Sequence, residues 1–302
     1  MVFPENLIEF TEAFPDERSC LDLVIKQRWP EGFKCPKCCG LGAYKIQTRG
    51  LLECKHCGHQ VSATAGTVFH KTRTGLRKWF LAIYLMATTK KALSSAELSR
   101  QLGVALHTAW TLRRKIMHAL KRREGELMLC GVVELDEIFV GGREEGARGR
   151  GTESKTLVAV SAEQTPDGGF VMAHMRVIPD ASKESLNEVA KETIAEGSKV
   201  LTDGWNGYKG LKDEGFEHQA TVQGSPKNAS KILPWVHVVA ANFKRWILDI
   251  FHGVSSKHLQ AYLDEFCYRL NRRQQRTDLF RRVLNRCAIY TTPVTYAQLI
   301  AS

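Results

Sequence analysis

The chain lacks a long apolar run. Nowhere in its 302 residues do 18 consecutive apolar side chains occur, which excludes a bilayer-spanning helix of ~20 such residues. Its opening stretch, MVFPENLIEFTEAFPDERS, lacks the order of basic, apolar and small residues that marks a secretory leader. Both absences predict a cytosolic protein with no membrane partner. Acid is scarce where base is dense: residues 70–123 hold thirteen Lys or Arg against the single acid Glu97, and residues 269–286 hold seven Arg against one Asp. The net charge of +11 is therefore clustered. A solvated face would mix both signs, whereas clustering of this kind is expected of a surface that meets a phosphate backbone.

The nine cysteines do not suggest disulfides. Cys20, Cys130, Cys267 and Cys287 are scattered, and in a cytosolic chain short Cys pairs favour metal. Cys35-Pro-Lys-Cys38 and Cys54-Lys-His-Cys57 are two such pairs, separated by fifteen residues. Thiolates at this spacing on a tight turn face one ion, and two turns complete the closed tetrahedron of a structural Zn²⁺ site. Gly40 and Gly58 suit the knuckle turns, and AYKIQTR and LLECK read as short strands between them. Cys39 competes with Cys38 as ligand; His56 and His59 are weaker substitutes. With four Cys ligands no coordination position is left open, so the ion is expected to be structural.

Residues 75–89 carry apolar side chains at helical spacing (Leu76, Trp79, Phe80, Ile83, Tyr84). Ser94 or Ser95 can cap a short helix AELSRQL, Gly103 breaks it, and a basic helix runs through TAWTLRRKIMHALKR. Helix, glycine turn and basic helix form the helix-turn-helix pattern. The last helix would offer His107, Thr108, Thr111 and Arg114 to a groove, with Arg113, Arg114 and Lys115 as DNA-contacting cations. A plain three-helix bundle is the competing reading, and the density of base argues against it.

From residue 131 the pattern turns to strands: GVVELDEIFVGG, TLVAVSA and GFVMAHMRVI, then the amphipathic helix SKESLNEVAKETIAEG, then KVLT ending at Asp203. Three strands, a helix and a further strand is the order of an RNase H-like sheet, in which carboxylates of the first and fourth strands meet. Asp136 and Asp203 occupy those places. Phosphodiester hydrolysis or transfer needs charge neutralised on both the attacking and leaving oxygens, which two Mg²⁺ (or Mn²⁺) ions ~3.5–4 Å apart provide. An Asp amid Val, Leu and Ile is costly to bury without purpose; Glu134 and Glu137 flank it and either can contribute. Asp203-Gly204 also reads as a common turn. Arg143, Arg148 and Arg150, in a glycine-rich stretch between the first two strands, either close over DNA or belong to a solvated hairpin. Arg272 and Arg273 are better placed to hold phosphate.

The strings VELDEIFVGG, TDGWNGYKGL and VHVVAANFKRWILDIFHGVSSKHLQAYLDEFCYRLNRR resemble the ISXO2-like group of bacterial insertion-sequence transposases, over nearly the whole chain from Glu17 to Arg286. The resemblance implies a transposase that binds double-stranded DNA at transposon ends and target, cuts and joins strands with Mg²⁺, works as a homodimer or larger, and acts in the bacterial cytoplasm on the nucleoid. It further implies a triad of Asp136, Asp203 and Asn242, with Lys244 on the same helix; Ala241 stands where Ser is usual. From residues alone Asn242 reads better as the N-cap of FKRWILDIF than as a ligand, His237 either reaches the same pocket or fills the core, and Glu265 is a rival third carboxylate. Two other classes compete: a DNA-binding regulator with an inactive RNase H-like domain, and a metal-dependent nuclease without strand transfer. The expected architecture is α+β and multi-domain: an N-terminal helix with zinc ribbon (1–67), a helix-turn-helix domain (68–126), an RNase H-like mixed α/β catalytic domain (127–290) and a tail (291–302).

Overall fold

The computed structural model describes residues 3–121, 127–141, 155–221 and 232–301. Arg143, Arg148 and Arg150 lie outside the described residues. The chain divides into two compact units, Met1–Leu120 with Gln274–Ser302, and Lys121–Arg273. No helix among the described residues is long and apolar enough to cross a membrane.

The first unit opens with α1 (Leu7–Ala13) and α2 (Glu17–Arg28), whose N-caps Asn6 and Asp16 accept the amides of Glu9 and Ser19. A three-stranded antiparallel sheet follows: β1 (Ala43–Ile46), β2 (Leu51–Cys54) and β3 (Gln60–Ser62). Helices α3 (Leu76–Thr88), α4 (Ser95–Leu102) and α5 (Leu106–Leu120) occupy the segment whose pattern predicts a helix-turn-helix. Ser94 caps α4, and Gly103 ends it in the left-handed conformation (φ 57°), as expected. Helix α3 starts behind Gly75, which has no side chain to cap it. Both Glu17 carboxylate oxygens supply the cap from α2, accepting the Leu76 and Arg77 amides at 2.6 and 3.1 Å.

The segment 274–290, expected in the catalytic domain, belongs to this first unit. Its helix α9 (Arg276–Asn285) packs against α3, a π-helical turn covers Arg286–Tyr290, and a final helix α10 (Tyr296–Ala301) packs on α5. Phe280 is fully buried, and the rings of Phe3, Phe10, Phe14, Phe80 and Tyr84 surround it at centroid distances of 5.7–6.4 Å.

The second unit is a five-stranded mixed sheet in the order β6-β5-β4-β7-β8. The strands are β4 (Val132–Gly141), β5 (Lys155–Gln164), β6 (Phe170–Val177), β7 (Lys199–Asp203) and β8 (Glu217–Thr221). The first three pair antiparallel, while β7 runs parallel to β4 and β8 parallel to β7. Helix α6 (Lys183–Thr193) contributes to the core of one face, around Val133, Leu135 and Ala159. Helices α7 (Pro234–Phe251) and α8 (Ser256–Leu270) contribute to the core of the other, around Ile138, Val140 and Val160. Helix α7 starts eight residues before Asn242, so Asn242 lies mid-helix and is not an N-cap.

Helix α8 lies along the edge strand β6 and satisfies its outward peptide groups. Gln260 accepts the Val177 amide (2.8 Å) and donates to the Met175 carbonyl (3.1 Å); Asn271 accepts the Ala173 amide (2.8 Å) and donates to its carbonyl (2.9 Å). Two side-chain amides thus take the place of a sixth strand and blunt the edge. Asn271→Ala leaves both Ala173 groups unpaired, and urea unfolding of the intact chain is expected to show a loss of about 1–3 kcal/mol.

Candidate active site and zinc site

In the ribbon, the sulfurs of Cys35, Cys38, Cys54 and Cys57 all lie within 4.8 Å of one another. Cys35 Sγ is 3.7 Å from Cys57 Sγ, and Cys38 Sγ is 3.6 Å from Cys54 Sγ. A tetrahedron with Zn–S bonds of ~2.3 Å has edges of about 3.8 Å, so the four thiols fit that ion. The amides of Lys37 and His56 donate to Cys35 and Cys54 at 3.4 Å. Cys54 is held down to about 6 by the amide of Cys57 and also by that of His56. Cys39 does not belong to the cluster: it occupies the left-handed turn (φ 59°) directly after Cys38.

On the central sheet, parallel pairing sets Val132 opposite Lys199 and Glu134 opposite Leu201. The ladder ends there; carried two residues further, the same offset brings Asp136 level with Asp203, on the same face. Asp136 Oδ1 accepts the Glu137 amide at 2.9 Å, and Asp203 Oδ1 accepts the Trp205 amide at 2.8 Å. Burial pushes Asp136 up to about 7, reinforced by the charges of Glu137, Asp203 and Glu134. No cation pairs with Asp136 or Asp203 among the described residues. An acidic pair held together without a counter-charge fits a hard divalent cation.

The two flanking glutamates have other partners. Glu137 Oε2 accepts the Tyr208 hydroxyl at 2.5 Å, and Tyr208 is fully buried in the α6-side core. Glu134 is 0 % exposed, and its Oε2 accepts the Val236 amide in the first turn of α7 at 2.9 Å. Burial pushes Glu134 up to about 7, against the pull of the Val236 and Trp235 amides. Neither the Tyr208 bond nor the Glu134 cap carries a local sequence signal.

Helix α7 presents Asn242 on its exposed side. His237, one residue past the Val236 anchor, has its Nε2 buried with no hydrogen-bond partner among the described residues. Lys244 lies seven residues beyond His237, on the same helix face; its ammonium is held below the ordinary value by partial desolvation and the charge of Lys155. The rival Glu265 is fully buried and ion-paired with Arg269 at 3.7 Å.

The basic residues separate into two kinds. Arg113 and Arg114, expected at DNA, are 1 % and 4 % exposed. Arg113 Nε donates to the Leu93 carbonyl at 2.8 Å, and Arg114 Nη2 to the Leu299 carbonyl at 3.4 Å. Helix α10 covers that side of α5, with Tyr296 against His107 and Trp110 at 4.9 and 5.8 Å. These guanidinium groups hold the unit together and are not presented to a groove. Lys115 is half-buried, and desolvation lowers its pKa. Lys71, Arg73, Arg77, Lys78, Lys90, Lys91 and Arg100 are exposed. In the second run, Arg281 and Arg282 pair with Asp278, and Arg286 is buried against the Ala119 carbonyl. Arg272 lies over the Tyr268 ring at 3.9 Å and Arg273 over Phe170 at 4.5 Å.

The strand order 3-2-1-4-5, with an Asp on the first strand facing an Asp that ends the fourth, defines an RNase H-like core, here accompanied by a zinc ribbon. Residues 128–271 match the ISXO2-like transposase domain, and residues 15–60 match the transposase zinc-ribbon domain. The chain therefore carries an ISXO2-like transposase domain and a transposase zinc-ribbon domain. It is 29 % identical over 294 residues to an uncharacterized protein in transposable element ISH50 of Halobacterium salinarum, covering 90 % of this chain and 94 % of that one. Among solved structures it is similar to the catalytic core domain of BIV integrase (TM-score 0.29, 10 % identity, 44 % of this chain and 80 % of that one). It is also similar to a pre-cleavage Mos1 transpososome (TM-score 0.28, 13 % identity, 70 % and 79 %). These structural likenesses are distant, and the fold assignment stands on the strand order.

Proposed function

We propose that this chain binds the ends of an insertion sequence and catalyses divalent-cation-dependent strand cleavage followed by strand transfer. The observation that carries the reading is the acidic pair Asp136 and Asp203, brought level by the β4–β7 register and without a cation partner among the described residues. Asp136 and Asp203 would hold Mg²⁺ or Mn²⁺, with the amide oxygen of Asn242 as a neutral third ligand from α7. Bound there, such ions lower the pKa of an attacking water and neutralise charge on the phosphoryl oxygens. Water oxygen attacks phosphorus in line, the bond to the 3′ oxygen breaks, and the freed 3′-hydroxyl then attacks a target phosphodiester in the same way. The amides of Glu137 and Trp205 orient the two carboxylates, while Lys244, Arg272 and Arg273 hold the strand through its phosphates.

In the first unit, the exposed cations Lys71, Arg73 and Lys78, together with Lys115, take over the phosphate contacts expected of Arg113 and Arg114, and the zinc ribbon keeps a structural ion. Two copies acting on paired ends in the bacterial cytoplasm complete the proposal. The test is cleavage of a plasmid carrying the element's own ends. Asp136→Ala, Asp203→Ala and Asn242→Ala are each expected to lower the rate by at least about 10³-fold, as when several kcal/mol of charge stabilisation is withdrawn. DNA retention in a gel-shift assay should persist. Undiminished cutting by Asp136→Ala sinks the assignment. Cutting without joined products points to a nuclease, and a wild-type chain that only binds points to a regulator.

A further inference from the structure

Helix α7 has no cap of its own. Its N-cap residue Leu233 makes no side-chain hydrogen bond, Pro234 opens the helix without an amide to offer, and Val236 is fully buried, out of reach of water. The acceptor for the Val236 amide is Glu134 Oε2, from a strand 102 residues earlier in sequence. Glu134 sits two residues before Asp136 on the same face of β4. The Glu17 cap on α3 differs, because there both oxygens are used. Glu134 Oε1 is buried with no hydrogen-bond partner among the described residues, as is Nε2 of His237 in the same first turn. A helix cap alone would be met by one oxygen at lower cost. A fully buried carboxylate with an idle oxygen asks for a further reason.

We propose that Glu134 is a positioning residue for strand cleavage: its carboxylate fixes the first turn of α7 against the strand of Asp136. Three polar residues of α7, His237, Asn242 and Lys244, are thereby held at a set height relative to the two aspartates. This inference rests on the transposase reading above. Glu134 does not touch the reacting atoms and does not ligate the ions; it acts through α7.

The experiment uses the full-length chain, zinc-loaded, on a plasmid carrying the element's ends, with Glu134→Ala and Glu134→Gln. Glu134→Ala is expected to lower kcat about 10–100-fold at saturating DNA and Mg²⁺, the range typical of residues that support ligating groups. KM for DNA should stay within about 2-fold of wild type, at a temperature where circular dichroism shows the variant folded. Glu134→Gln keeps an oxygen for the Val236 amide and should recover most of kcat. Mn²⁺ binding, followed by titration calorimetry without DNA, should be unchanged in both variants. Wild-type kcat in Glu134→Ala overturns the proposal. So does a loss of Mn²⁺ binding in both variants, which would make Glu134 a ligand, and so does a fall in kcat that only tracks loss of folded protein. A wild-type chain that cuts nothing overturns the transposase reading and this inference together. A wild-type chain that cuts no faster than Glu134→Ala overturns this inference alone.

Discussion

Replacing Phe280 by Ala is expected to destabilise the first unit by about 3–5 kcal/mol, the usual cost of deleting a large buried ring and leaving a cavity. Phe280 packs edge-on against its five aromatic neighbours, from α1, α3 and the segments beside α1. Edge-to-face contacts of this kind add to the apolar area buried. For a unit of this size the loss corresponds to a fall in melting temperature on the order of 10 °C. It should be visible in the near-ultraviolet dichroism of the aromatic cluster, and Phe280→Leu should recover part of it. A melting temperature unchanged by Phe280→Ala would mean that α9 does not hold the unit together.

The second large effect concerns the ribbon. Between residues 33 and 62 the fully buried side chains are few, chiefly Cys35, Leu52 and Cys54. A core of that size cannot offset the entropy of ordering three short strands. The metal must supply the difference, and a tetrathiolate zinc site contributes an apparent ~10–16 kcal/mol at neutral pH. Chelation, or Cys54→Ser, is therefore expected to unfold the ribbon and expose it to limited proteolysis, with zinc content falling below one ion per cluster. Cys39→Ser is the control: its sulfur lies outside the cluster, so metal content should hold. If Cys39→Ser empties the site and Cys38→Ser does not, the ligand set is wrong.

What could be read from sequence was local or periodic. Ser94 and Gly103 mark the ends of α4 within a few residues of themselves, and both act as expected. The strand runs of β4 to β7 are legible as alternating or apolar stretches, and they form the strands their pattern predicts. The start of α7 cannot be read in this way: its capping carboxylate comes from Glu134, 102 residues earlier in sequence, and no residue beside Pro234 announces it. Strand β8, Glu-His-Gln-Ala-Thr, has no apolar pattern because most of its side chains are exposed. Arginine counts carry no information about burial. Arg113, Arg114 and Arg286 add to the charge that suggests DNA, yet they spend it on backbone carbonyls inside the fold.

The first unit is interrupted in sequence: it leaves off at Leu120 and resumes at Gln274. During translation the whole of Lys121–Arg273 emerges before Phe280 does. At ~5–20 residues per second the rings of Phe10, Phe14, Phe80 and Tyr84 wait on the order of ten seconds for the residue that closes their cluster. That interval is a window for chaperone capture or aggregation. The same order undercuts the usual way of isolating a DNA-binding region by expressing its N-terminal fragment, since a polypeptide ending at Leu120 would lack the ring at the centre of its own core.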